Sequence, residues 1–347
     1  MTVVVALVGL ILLIVIHELG HMLTAKALGV RVPEFGVGFG PPLIKRKIGR
    51  TVYSFRIILL GGFAKMAGMG DGDEGPDTYP AKAPWRRALI IVAGPAANVL
   101  AAIVILAGVY MYQGVVTDIK PVVQAVEPGS MAQEVGIRSG DRIVGIGGER
   151  FETWEGFERE MMGREPGEEV SVTVSRDGDE RTLRGELGAD PQEPDRALVG
   201  VRPEIVKTTY GLFESLGLAA QRCVEITVQL GAFVGQLVTG EERFYDNVTG
   251  PVGIASVGST AVNQGFFLPL LALISLNLAI FNLLPILPLD GGHLFFIAAE
   301  KLIGRPVSEQ TMGKIAAVGI VLVLALFLFA TYADLSKIFT GQPFIPE

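Results

Sequence analysis

Three histidines occur among the 347 residues, and two of them stand four apart in His17-Glu18-Leu19-Gly20-His21. Residues i and i+4 share one face of a helix about one turn apart, so both imidazoles can reach a single metal ion while Glu18 reaches a water beside it. The pattern closes an uncharged, apolar-rich run, residues 3–16. Two histidines and a glutamate in a hydrocarbon core are costly unless paired, metal-bound or functional. The spacing therefore predicts a Zn2+ site in which Glu18 works on water as a general base and does not bind metal.

A hydrolytic zinc keeps one position open for water, which calls for a third protein ligand. Asp290 is the leading candidate, inside the segment NLLPILPLDGGH at residues 282–293. Its two prolines and two glycines unwind a helix, and irregular backbone at membrane depth is tolerated only where it is buried in protein or lines a cavity. His293 is the rival third ligand, or else supports the site from its edge. Asn282 can hydrogen-bond a substrate backbone or a neighbouring helix. Gly62, Phe63 and Ala64 read as a strand edge that could pair with an unwound substrate, or as part of a plain amphipathic hairpin.

These residues must be positioned by a membrane protein. Half of the chain is hydrophobic, 19% is charged, and the mean hydropathy is +0.46. A lone Cys223 excludes disulfide scaffolds and cysteine-rich metal sites, and a formal charge of -7 excludes a nucleic-acid partner. Four stretches, 3–28, 88–112, 266–289 and 315–332, are apolar enough to span a bilayer. Residues 29–87 carry a net charge of +5, with Arg86 and Arg87 abutting the second stretch, whereas 113–265 carry -11. The positive-inside rule places the first segment in the cytoplasm and the second outside. Residues 210–239 are helical in pattern but interrupted by Glu214, Arg222 and Glu225, which favours a helix on the membrane surface over a fifth span. Four spans also bring HELGH and Asp290 to the same depth.

Within the acidic region the order is strand (122–126), Glu127-Pro128-Gly129 turn, short helix (130–135), GIRSGDRI at 136–143, a helix at 154–162, and alternating strands around Asp177-Gly178, with the phrase PGSMAQEVGIRSGDRIVGIGGE at 128–149. It resembles a PDZ domain. HELGH, VGFGPPL, GGFAKMAG, AGPAANVL, that PDZ module, NVTGPVGIA and NLLPILPLDGGH then follow in the order of the site-2 protease family of intramembrane zinc metalloproteases, and the chain resembles its bacterial regulator-of-sigma-E protease type over nearly its whole length. Many members of that type carry two tandem PDZ domains; this chain has room for one.

The resemblance implies a multi-pass α-helical membrane protein of four transmembrane helices with an inserted extracytoplasmic PDZ domain, α+β in class and a partly open β-barrel. The expected parts are a first half of the membrane core at 1–112, the PDZ domain at 115–203, a membrane-surface helix at 207–240 and the second half of the core at 245–347. By resemblance His17, His21 and Asp290 hold zinc and Glu18 is the acid/base. The implied reaction is hydrolysis in or near the transmembrane segment of single-pass membrane proteins trimmed beforehand by another protease, or of remnant signal peptides, at the bacterial inner membrane. Two other readings compete: a secondary transporter with a midplane ion site, which would need neither HELGH on one face nor lack inverted repeats, and a non-catalytic PDZ scaffold, against which the intact Glu18 argues.

Overall fold

The computed structural model describes residues 2–70, 72–190, 194–240, 250–305 and 307–340, which fall into two compact units, 1–109 with 211–347 and 110–210. The start of the NVTGPVGIA segment, residues 247–249, and the last seven residues expected in the second half of the core lie outside the described residues.

The chain opens with α1 (Thr2–Ala27), whose last turns carry HELGH. Two long strands follow, β1 (Glu34–Ile48) and β2 (Thr51–Lys65), joined at Gly49-Arg50. They fold back on themselves. Glu34 lies opposite both Val52 and Lys65, and Val37 opposite both Phe55 and Gly62, so residues 34–37 sit between the two ends of β2. The fold-back requires Gly61, at φ +134° and with the Phe39 ring where a Cβ would be. Among the described strands, residues 62–64 pair on one side only, with the 34–37 segment. Helix α2 (Pro84–Tyr112) carries Pro95 in its interior and buries Ile90, Ile91, Gly94 and Asn98.

The inserted unit contains β3 (Val115–Val126), α3 (Met131–Glu134), β4 (Arg142–Ile146), β5 (Glu149–Arg150), α4 (Trp154–Met161), β6 (Glu169–Arg176), β7 (Asp179–Glu186), β8 (Gly188–Ala189), β9 (Ala197–Leu198) and β10 (Val201–Thr208). The main sheet runs β10-β3-β4-β6-β7, antiparallel throughout, with β5 beside β4. Alternation in β6 turns Val170, Val172 and Val174 onto Ile143, Ile146, Trp154 and Phe157. Asp177 and Gly178, both at positive φ, make the tight β6–β7 turn. Ser130 caps α3 through its Oγ. This is the PDZ-like order read from the sequence, built on an open sheet path.

The chain then continues with α5 (Leu212–Thr239), α6 (Pro251–Gln264), α7 (Phe267–Asn282), α8 (Asp290–Ile303) and α9 (Glu309–Thr340). Three described helices are long and apolar enough to cross a membrane: Val3–Ala27, Pro84–Tyr112 and Gln310–Thr340. The expected span at 266–289 is instead an apolar helix of 16 residues followed by a break, because Pro285 and Pro288 withhold backbone donors and the chain restarts only at Asp290. Helix α5 is continuous and is not among the three. Asp334, fully buried on α9, accepts from the N–H groups of Gly250 (2.9 Å) and Gly253 (2.8 Å), so the last helix supplies the cap of α6 that Gly250 has no side chain to give.

Candidate metal centre

Four elements converge on the end of α1. Helices α1 and α2 approach backbone to backbone because a Cβ on Gly20 would meet the Ala93 carbonyl and one on Gly94 would meet the His21 ring. The closeness lets His21 Nδ1 donate to the Ile90 carbonyl at 2.8 Å. A carbonyl only accepts, so the proton is on Nδ1 and the neutral ring presents a lone pair at Nε2. On the other imidazole, Nδ1 of His17 lies 3.2 Å from the Asn98 amide, whose Oδ1 is buried with no partner. Turned end for end, that amide offers Oδ1 to His17 Nδ1–H, which satisfies both groups and frees the His17 Nε2 lone pair. Ser275 Oγ on α7 donates to the Asn98 carbonyl at 2.8 Å.

Asp290 arrives at the N-terminus of α8. Its placement depends on Gly291 and Gly292, where any side chain would collide with the backbone of Leu283 and Leu287. The carboxylate oxygen Oδ2 stands 3.1 Å from His17 Nε2 and 3.3 Å from His21 Nε2, and the two nitrogens are 3.2 Å apart. Both histidines are buried. Asp290 Oδ2 is buried and receives no hydrogen bond. Three atoms that each carry a lone pair thus face one another, an arrangement that repels unless a cation lies among them. A tetrahedral shell with bonds of about 2.0–2.2 Å sets neighbouring ligand atoms about 3.3 Å apart, so the triangle fits zinc in size as well as in donor chemistry. Among the described residues, this is the one group of three or more metal-capable side chains.

Glu18 lies beside the cluster, not in it. Its carboxyl is hydrogen-bonded by the Ala64 backbone, and a Cβ on Gly62 would come within 3.2 Å of its Cγ. Gly62, Phe63 and Ala64 are therefore the end of β2 that borders Glu18, with the Phe63 ring covering Gly36 and the Arg56 guanidinium 4.8 Å from its centre. Asn282 is turned back on its own helix, donating to the Leu278 carbonyl at 2.9 Å. His293 is not in the triangle; it lines a cavity of about 630 Å³ next to Leu287 and Pro288. Sequence reasoning passed over Asn98, Gly94 and the Ile90 carbonyl. The AGPAANVL segment was the available signal, since two small residues and a buried amide in an apolar helix mark a close helix contact.

Residues 5–326 match Peptidase family M50. Zinc metalloprotease RasP of Geobacillus kaustophilus is 30% identical, over 94% of this chain and 96% of its own. Relatives named as candidate zinc metalloproteases in Clostridium acetobutylicum (32% identical, 96% of each chain) and Campylobacter jejuni (33%, 94% of this chain and 91% of its own) align end to end in the same way. Among solved structures, the PDZ domain of an SdrC-like protein from Listeria monocytogenes matches 25% of this chain and 86% of its own, at 20% identity and a TM-score of 0.22.

Proposed function

This chain belongs to Peptidase family M50 and is an intramembrane zinc metalloprotease, in which we propose that His17, His21 and Asp290 hold the zinc and Glu18 is the catalytic acid/base. The observation that carries the assignment is the buried Asp290 Oδ2, without a donor and 3.1–3.3 Å from two imidazole nitrogens. Bound zinc would polarise the scissile carbonyl and acidify a water to a pKa of about 7. Glu18 takes the proton of the attacking water and returns it to the departing amine. The Ala64 contact keeps the Glu18 carboxyl turned toward the open end of β2. A substrate strand laid on Gly62, Phe63 and Ala64 exchanges its lost helical hydrogen bonds for sheet ones and presents its peptide bond beside that carboxyl. Asn282 adds a second hydrogen-bonding group once released from Leu278.

The substrates are transmembrane segments of single-pass proteins already trimmed by another protease, met within the lipid bilayer. In the proposed topology there are four spans, α1, α2, α7 with its broken continuation and α9, with residues 29–87 in the cytoplasm and the PDZ-like unit outside; Arg86 and Arg87 abutting α2 and the +5 against -11 split support it. Placed there, the unit screens out substrates with bulky outer domains. Detergent-purified protein should carry one zinc per chain and His17→Ala none; zinc retained by that variant would remove His17 from the ligand set. For topology, cysteines are introduced at the exposed Arg50 and Asp179 in a Cys223→Ser background. An impermeant maleimide on intact cells should label Asp179→Cys alone, and labelling of Arg50→Cys alone would invert the arrangement.

A further inference from the structure

The cavity of about 630 Å³ that His293 lines is bordered by Leu287 and Pro288, just before Asp290 in the chain, and by Arg87 and Glu300. One of its polar atoms is unspent. Arg87 Nη2 donates to Glu300 Oε1 at 2.7 Å, yet Arg87 Nε is buried with no acceptor. Tyr79 is 7% exposed, and its phenol makes no described hydrogen bond while lying within the electrostatic reach of Arg87, Glu300 and Asp290. A buried donor left unpaired costs about 1–3 kcal/mol, so Arg87 Nε marks a place where an acceptor oxygen belongs, and the Tyr79 phenol lining the same cavity is a second donor within reach of such a group. Because Glu300 already balances the guanidinium, the missing partner need not be an anion. A neutral carbonyl suffices. Much of the remaining lining is apolar, Met69, Phe296 and Met312 among it.

We propose that this cavity is a second substrate subsite, which takes the unwound flank of the transmembrane segment on one side of the scissile bond, Arg87 Nε–H and Tyr79 O–H donating to its freed backbone carbonyls. The proposal rests on the protease reading above and deepens it. A transmembrane helix opened for hydrolysis exposes several C=O groups at once, and in a low-dielectric site each needs a donor. The open edge of β2 satisfies one stretch of that backbone; the cavity supplies donors and apolar walls for another.

The test uses the full-length zinc enzyme in detergent and a synthetic 24-residue Leu/Ala transmembrane peptide with a central Gly-Pro pair. Tyr79→Phe removes one donor without changing shape and should raise KM about fivefold at unchanged kcat, the effect of one net hydrogen bond. Arg87→Lys keeps the charge opposite Glu300, loses the Nε donor and should act in the same direction. Ala316→Phe fills the cavity and should abolish cleavage while leaving zinc content at one per chain. If Ala316→Phe and Tyr79→Phe both cleave with the parent's KM, substrate does not enter the cavity and the proposal falls while the protease reading stands. If the parent itself shows no zinc-dependent cleavage of the peptide, the protease reading fails and takes this subsite with it.

Discussion

Asp141 and Asp290 both place carboxylate oxygens out of solvent, and their surroundings differ in kind. Asp141, 1% exposed in the PDZ-like unit, accepts from Arg176 Nε and Nη2 at 2.7 Å each and from the Arg138 backbone at 2.8 Å. Every lone pair that matters is used, and the Arg176 guanidinium holds the Asp141 carboxyl below the usual carboxylate range. Asp290 has two imidazoles at similar distances and no donor on Oδ2. One carboxylate is complete within its own unit and stabilises a fold; the other lacks the partner that the proposed metal ion would supply. Donor bookkeeping separates the two cases.

The contrast can be broken by experiment. The largest effect is expected at Glu18, which belongs to the incomplete site without being part of its triangle: Glu18→Gln should keep one zinc per chain and lose roughly 10²- to 10⁴-fold in turnover. Wild-type cleavage by that variant in a reconstituted assay would show that the carboxyl beside the cluster does no chemistry. Next comes Gly94→Ala. A Cβ there displaces the His21 ring, so kcat should fall about 10- to 100-fold and zinc affinity with it, because small misplacements of a catalytic group are expensive. Metal titration of the variant checks this, and unaltered zinc affinity would mean that α1 and α2 adjust freely.

At the complete site the loss should appear in stability. Asp141→Asn should cost about 1–3 kcal/mol, read as faster amide exchange in β4 and β6, with zinc content untouched. The sign with pH follows from the lowered carboxyl: its stabilisation is fully present above the ordinary carboxylate range and disappears as pH falls through the folded-state value. Exchange protection in β4 and β6 should therefore drop on acidification below about pH 4 in the parent and less steeply in Asp141→Asn. The smallest effect sharpens the comparison most. Asp290→Asn, in metal-stripped protein, should change thermal stability by less than about 1 kcal/mol or raise it, since it removes a charge that had no donor. A large destabilisation there would make Asp290 a structural residue like Asp141.

Much of this was legible before any fold. The spacing of His17 and His21 fixes their common helix face, since 3.6 residues per turn leaves no other arrangement, and the apolar stretches, the β6 alternation and the Asp177-Gly178 turn are local patterns that need no tertiary information. Asp290 was harder, because its partners lie more than 260 residues away and only the proline and glycine punctuation around it marked an unwound segment at membrane depth. The break itself proved more decisive than the pattern suggested, ending α7 at Asn282 and restarting the chain at Asp290 as the first residue of a new helix.

What the sequence determined by itself is therefore the chemistry: which side chains could bind a metal, which could move a proton, and that both lie within an apolar core. Only the tertiary structure decided which candidate completes the triangle, Asp290 and not His293, and which residues hold it there. Asn98, Gly94 and the Ile90 carbonyl orient the two imidazoles from α2, and Gly291 and Gly292 let α8 press against the 283–287 backbone. These roles depend on what fills the space beside a residue, not on its type or its spacing along the chain. A glycine or an asparagine in an apolar helix looks the same whether its neighbour is lipid or an imidazole.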